Sequence, residues 1–106
     1  MANLLFSDVS SETAKYLKAL GHPVRLAILK HLNSGKVHYI SELLVLIPMA
    51  QSTISQHLKE LKNAGLIEGT LQLPKIRYEI NQATWQRAKR AIESILNEDF
   101  NSISYC

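Results

Sequence analysis

The stretch "ISELLVLIPMAQSTISQHLKELKNAGLI", residues 40–67, constrains the fold more than any other part of this chain. Two apolar-periodic segments flank Pro48, and neither can run through it. A proline has no backbone N–H to donate, and it pushes the residue before it out of the α region. The first segment, with Ser41 as its predicted cap, reads as a short helix over 41–47. The second begins two or three residues after the proline. Its Ile54, Leu58 and Leu61 fall at i, i+4 and i+7, one stripe of a helix. Gly65 is predicted to end it, since glycine takes the left-handed position after a helix at little steric cost. Leu66 then stands where an apolar contact back to Leu61 closes the cap.

The other face of the second helix carries Gln51, Ser52, Ser55, Gln56 and Lys59, with Thr53 beside them and no carboxylate among them. A helix face meant only for water usually mixes both signs of charge. Short hydroxyls and amides without Asp or Glu suit the major groove of a nucleic acid. Base edges there offer donors and acceptors at close range, and a carboxylate would be repelled by phosphate. Gln51 and Gln56 can each pair with the N6 and N7 of adenine. Ser52 and Ser55 are short enough for a base edge or a phosphate, and Lys59 is placed for the backbone.

The flanking segments read as follows. Ser10 or Ser11 caps a first helix near 11–20, with Glu12 in its first turn and Ala14, Leu17 and Leu20 as its apolar stripe. Gly21 stops it, and Pro23 opens a second, "PVRLAILKHL", carrying Leu26, Ile28, Leu29 and Leu32. After Gly65, "LIEGTLQL" and "KIRYEI" read as two strands. In the second, Ile76, Tyr78 and Ile80 are expected to be buried, and Lys75, Arg77 and Glu79 to be wet. Leu73-Pro74 lacks the Asn-Gly of a tight hairpin, so a loose tip is expected. Thr84 caps a last helix near 84–98 with Trp85, Ala88, Ile92, Ile95 and Leu96 on one side.

The sum is a mainly α chain with a small β-hairpin, a helix-turn-helix followed by a wing, in one domain spanning 1–106. The 46% apolar and 20% charged residues fit a folded domain. Net charge is only +3, but residues 51–90 hold seven Lys or Arg against three Glu, whereas residues 91–106 hold no basic residue. The positive charge thus sits with the polar helix and its sequel, and in the hairpin Lys75 and Arg77 suit phosphate or minor-groove contact. The single Cys106 leaves no intrachain disulfide and no multi-cysteine zinc site. No apolar run has the length of a membrane span, and the first residues lack a basic n-region. A cytoplasmic, soluble protein that leaves membranes alone is expected.

The segment "LKALGHPVRLAILKHL" followed by "ISELLVLIPMAQSTISQHLKELKNAGLI" resembles the ArsR/SmtB family of bacterial winged-helix repressors. The matching positions are Ala19, Leu20, Pro23, Arg25, Leu26, Ile28 and Leu29, then Glu42-Leu43. The recognition helix matches through Gln51-Ser52-Thr53-Ile54-Ser55, His57-Leu58, Leu61 and Ala64-Gly65-Leu66. The resemblance runs from about residue 14 to 97 and implies that Gln51, Ser52, Ser55 and Gln56 face DNA. It also implies a homodimer, here expected on Leu17, Trp85, Ala88, Ile92, Ile95 and Leu96, and it points to repression.

The chain departs from that family in three places. Ala50 stands where a capping Ser is usual, which implies a weakly capped recognition helix. Leu73-Pro74 occupies a wing tip where Gly is common. Leu44 and Leu46 replace the two Cys of soft-metal sensors, and Thr84, Ser94 and Asn97 are poor ligands where other sensors place Asp, His and Glu. No pair among the four His has ligand spacing. His22 is read as an N-cap substitute, and His57 as a structural imidazole on the inner side of its helix. No metal, cofactor or effector is therefore assigned. No paired carboxylates or activated nucleophile indicate an enzyme. The competing reading is a winged-helix module that binds protein or RNA and not duplex DNA.

Overall fold

A computed structural model of the chain describes residues 11–98; Ser10, Asp99 and Cys106 lie outside them. The elements follow as α1 Ser11–Leu20, α2 Pro23–Asn33, α3 Ile40–Leu46, α4 Gln51–Asn63, β1 Ile67–Gln72, β2 Lys75–Ile80 and α5 Gln82–Leu96. Five helices and an antiparallel hairpin among the described residues give the expected winged helix-turn-helix.

Pro48 acts as its chemistry requires. Ile47 before it is extended, at φ −118° and ψ 117°, yet stays buried and donates its N–H to the Leu43 carbonyl at 2.8 Å. α4 then starts at Gln51, and its first turn takes no side-chain bond from Ala50. The other end is closed on both sides. Gly65 sits at φ +81°, its N–H bonds the Lys62 carbonyl at 2.9 Å, and the Leu66 N–H bonds the Leu61 carbonyl at 3.1 Å. Those two crossed bonds are a Schellman cap, with Leu66 and Leu61 both fully buried beneath it.

Ile54, Leu58 and Leu61 join Tyr16, Ile28 and Leu43 at the centre of the core. Arg25 ties this centre together. Its Nη1 donates to the Lys18 and Ala19 carbonyls at 3.1 and 3.3 Å, satisfying the open end of α1. Its Nε donates to His57 Nδ1 at 3.1 Å, so one side chain of α2 joins α1 to α4. His22 caps α2 as expected, its Nδ1 accepting from the Val24 N–H at 3.1 Å.

Several local expectations are corrected. On α1 the buried residues are Thr13, Tyr16 and Ala19, whereas Ala14 and Leu17 face outward and Leu20 is half-buried. Two faces of this helix carry apolar side chains, and the one bearing the large Tyr16 ring is turned inward. On α2, Val24 is buried in place of Leu26, which is 47% exposed. α3 begins at Ile40, one residue before Ser41, because Glu42 reaches back to the N–H groups of His38 and Tyr39 at 2.9 and 3.0 Å. α5 begins at Gln82, and its cap is Asn81, whose Oδ1 accepts from the Thr84 N–H at 3.2 Å.

The hairpin is paired to its end. Its register runs from Ile67 opposite Ile80 to Gln72 opposite Lys75, so only Leu73 and Pro74 form the turn, and the expected loose tip is replaced by a tight one. β2 does not split cleanly into wet and dry faces. Ile76 is 42% exposed, Tyr78 and Ile80 are half-buried, and Arg77 is as covered as they are. Only the base of the hairpin reaches the core; the tip projects beyond it.

Candidate nucleic-acid interface

On α4, Gln51, Ser52, Ser55, Gln56 and Lys59 are all exposed, and Thr53 is half-buried at their edge. The stripe of Ile54, Leu58 and Leu61 turns this polar face away from the core, which follows from the 3.6-residue period. Gln56 Nε2 lies 3.4 Å from Glu60 Oε1, one turn further along. That contact brings a carboxylate to the edge of this face; none stands among Gln51, Ser52, Ser55 and Gln56 in the first two turns.

The wing brings Lys75 to the same side. Lys75, Tyr39, Ser41 and Tyr78 line a cleft of about 330 Å³ together with Gln51 and Ser55. Arg77 is less free. Its Nη2 donates to His38 Nε2 at 3.1 Å, and its Nε lies 3.8 Å from Glu79 Oε1. His38 Nδ1 is 3.3 Å from the Tyr78 carbonyl and its Nε2 is also 3.1 Å from the Gly35 carbonyl; protonation at Nδ1 suits the Tyr78 and Arg77 contacts, and protonation at Nε2 the Gly35 one. Arg87, another of the basic residues, is bonded to Glu12 of α1 at 3.0 Å. Of the cations assigned to this interface, Lys75 lines the cleft and is exposed, and Lys59 is exposed on α4.

His57 occupies the inner side of α4. Its ring packs on that of His22 at 4.3 Å between centroids, and its Nδ1 accepts from Arg25. Burial, then the neighbouring His22 and Arg25, hold its pKa below the ordinary 6.5. The neutral ring is the form that accepts the Arg25 N–H. Among the described residues no three His, Cys, Asp or Glu side chains form a group that could hold a metal ion. No helix among them is long and apolar enough to cross a membrane.

The residues expected at a subunit contact divide. Leu17 and Leu96 are 46% and 74% exposed, Trp85, Ile92 and Ile95 are half-buried, and Ala88 is only 2% exposed. Ala88 is therefore spent on the chain's own core. A shallow groove of about 380 Å³ runs between Leu20 of α1 and Trp85 and Ile92 of α5.

Sequence reasoning missed Tyr39, Gln72 and the bridging role of Arg25. Glu42 three residues after Tyr39 is a capping-box spacing that marks where α3 starts. Nothing in the sequence pairs Tyr39 with the hairpin.

A short helix, a Pro-containing break, a polar second helix and a hairpin carrying Lys75 and Arg77 beside it define a winged helix-turn-helix DNA-binding domain. A helix-turn-helix domain family matches residues 20–70. The biofilm growth-associated repressor of Xylella fastidiosa is 33% identical over 86 residues, covering 81% of this chain and 75% of that protein. An ArsR-like transcriptional regulator from Rhodococcus sp. RHA1 superposes with a TM-score of 0.69 at 30% identity, over 81% of this chain and 80% of that one. The transcriptional repressor BigR from Xylella fastidiosa superposes at 0.65 and 29% identity, over 93% of this chain and all of that one (100%). The chain belongs to the ArsR/SmtB family of winged helix-turn-helix regulators, and it is a DNA-binding transcriptional regulator.

Proposed function

We propose that this regulator acts as a repressor, binding a pseudo-palindromic operator as a twofold homodimer. The observation that carries the proposal is the exposed, carboxylate-free start of α4, set across one cleft from Lys75. Gln51, Ser52, Ser55 and Gln56 read base edges from the major groove, and Thr53 borders them. Lys59, Lys75 and Arg77 meet phosphates, Arg77 after leaving His38. The exposed Leu17 and Leu96 and the half-buried Trp85, Ile92 and Ile95 offer apolar surface of α1 and α5 to a second copy. Such a dimer sets its two recognition helices about 34 Å apart, one turn of B-DNA. Repression follows from occupancy, since a promoter covered by the dimer excludes polymerase, and the Xylella fastidiosa relative is itself named a repressor.

The test is selection of bound sequences from a random duplex pool, followed by titration of the winner against salt. Two half-sites and a steep loss of affinity with salt are expected. Gln51→Ala should cost about 1–3 kcal/mol and relax preference at one position of each half-site. An unchanged consensus from Gln51→Ala refutes its role in base reading. Binding to RNA or protein with none to duplex DNA refutes the proposal as a whole.

A further inference from the structure

We propose that Tyr39 is a positioning residue for DNA binding: it holds the tip of the wing, and with it Lys75, at the height where a phosphate is met. The inference rests on the DNA reading above. Tyr39 Oη donates to Gln72 Oε1 at 2.8 Å, and Lys75 Nζ lies over the Tyr39 ring at 5.0 Å from its centroid. Gln72 and Lys75 are opposite each other in the last rung before the turn, so one phenol holds both strands at the tip.

Tyr39 is itself held from behind. Its N–H and that of His38 both bond the Glu42 carboxylate, and the His38 carbonyl accepts from the Tyr78 N–H at 2.7 Å. The His38-Tyr39 pair thus grips β2 at Tyr78 and, three residues earlier, the hairpin end at Lys75. A two-stranded hairpin has little stability of its own, so its attitude is set by what it leans on. The tip rests on Tyr39, because only the base of the hairpin reaches the core.

Besides Gln72 and Lys75 the ring meets only the edge of its neighbour His38, with centroids 6.5 Å apart, among the described aromatic contacts. Ile40 packs against the core, whereas the half-buried Tyr39 is not part of that cluster. Instead it lines the cleft shared by Lys75, Gln51 and Ser55. A lysine already resting on an aromatic face loses less rotamer freedom when it meets a phosphate. Tyr39 therefore sets the span between base reading by α4 and phosphate contact by the wing.

The test uses the duplex selected by the unaltered protein and follows affinity and its salt dependence for Lys75→Ala, Tyr39→Leu, Tyr39→Phe and the Tyr39→Leu/Lys75→Ala double variant. Thermal melting checks each fold. Lys75→Ala should weaken binding several-fold and lower the salt slope by about one. Tyr39→Leu, which keeps bulk but removes the π face and hydroxyl, should reproduce most of both changes. The double variant should be no weaker than Lys75→Ala by more than about twofold. Tyr39→Phe should restore most of the loss, and base preference should stay the same throughout.

Tyr39→Leu that binds like the unaltered protein while Lys75→Ala is weakened overturns the positioning role alone. Losses that multiply in full in the double variant overturn it as well. If Tyr39→Leu does not fold, Tyr39→Phe decides by its own affinity: a loss of about twofold supports the role, and none overturns it. Full affinity in Lys75→Ala removes the wing contact and the inference with it, but leaves the Gln51 reading standing. A protein that binds no duplex refutes the DNA reading first.

Discussion

Replacing Gly65 by Ala tests whether the end of the recognition helix is held as tightly as its geometry implies. At φ +81° an L-residue bears a left-handed strain of about 1–2 kcal/mol. A stiffer unfolded chain offsets about 0.4–1 kcal/mol of that. The new Cβ also lies 3.3 Å from Thr84 Cγ2 of α5, closer than an ordinary contact. A net loss of about 1 kcal/mol from the backbone, with the cost of the contact added to it, is expected, a fall of several degrees in melting temperature for a domain this size. Gly35→Ala separates the two causes. Gly35 has a similar φ of +76° but nothing within 4 Å, so it should show the strain without the contact. Thr84→Ala added to Gly65→Ala should recover the difference, because the Asn81 cap uses the Thr84 backbone N–H and not its side chain. Urea unfolding followed by circular dichroism, at equal protein concentration, measures each step. Gly65→Ala as stable as the unaltered protein refutes the strain argument. Gly65→Ala equal to Gly35→Ala, with no recovery from Thr84→Ala, refutes the contact.

His57, held below 6.5 chiefly by burial, takes up a proton more readily in the unfolded chain. Its contribution to stability should be complete above about pH 6.5 and fade as pH falls toward the lower folded value. His57→Gln should flatten that part of the stability curve in urea titrations, and an unchanged curve would count against the assignment. Leu17→Glu with Leu96→Glu changes two side chains that are exposed in the single chain. Monomeric sedimentation with an unaltered helical circular-dichroism spectrum is expected, and a persisting dimer would place the subunit contact elsewhere.

The two helices around Pro48, the inward stripe of α4 and the stop at Gly65 are legible in sequence because each rests on local backbone chemistry. Proline and glycine restrict or release φ wherever they stand, and a period of 3.6 assigns the faces of an amphipathic helix. The polar start of α4 was legible for the same reason, since its opposite stripe left it nowhere to point but outward. Other choices were made by packing. α1 carries apolar groups on two faces, and only the arrangement of α2, α4 and α5 turns Tyr16 inward and leaves Leu17 out. Asn81 in place of Thr84 as the cap of α5 depends on where the strand lets go.

Ile76 shows the limit of alternation as a guide to burial. Its place in the period is right for an inward residue, but the hairpin outruns the core beneath it, so there is nothing to bury it against. The grip of Tyr39 on Gln72 and Lys75 joins residues 33 and 36 positions apart, and Arg25 reaches His57 across 32. No local period encodes such pairs. By itself the sequence determined the elements, the breaks at Pro48 and Gly65 and the polar face that α4 turns to solvent, all of which follow from short-range sterics and hydrophobic period. The attitude of the wing and the choice between two faces of α1 belong to the tertiary structure, because they depend on which distant side chains the folded chain brings into reach.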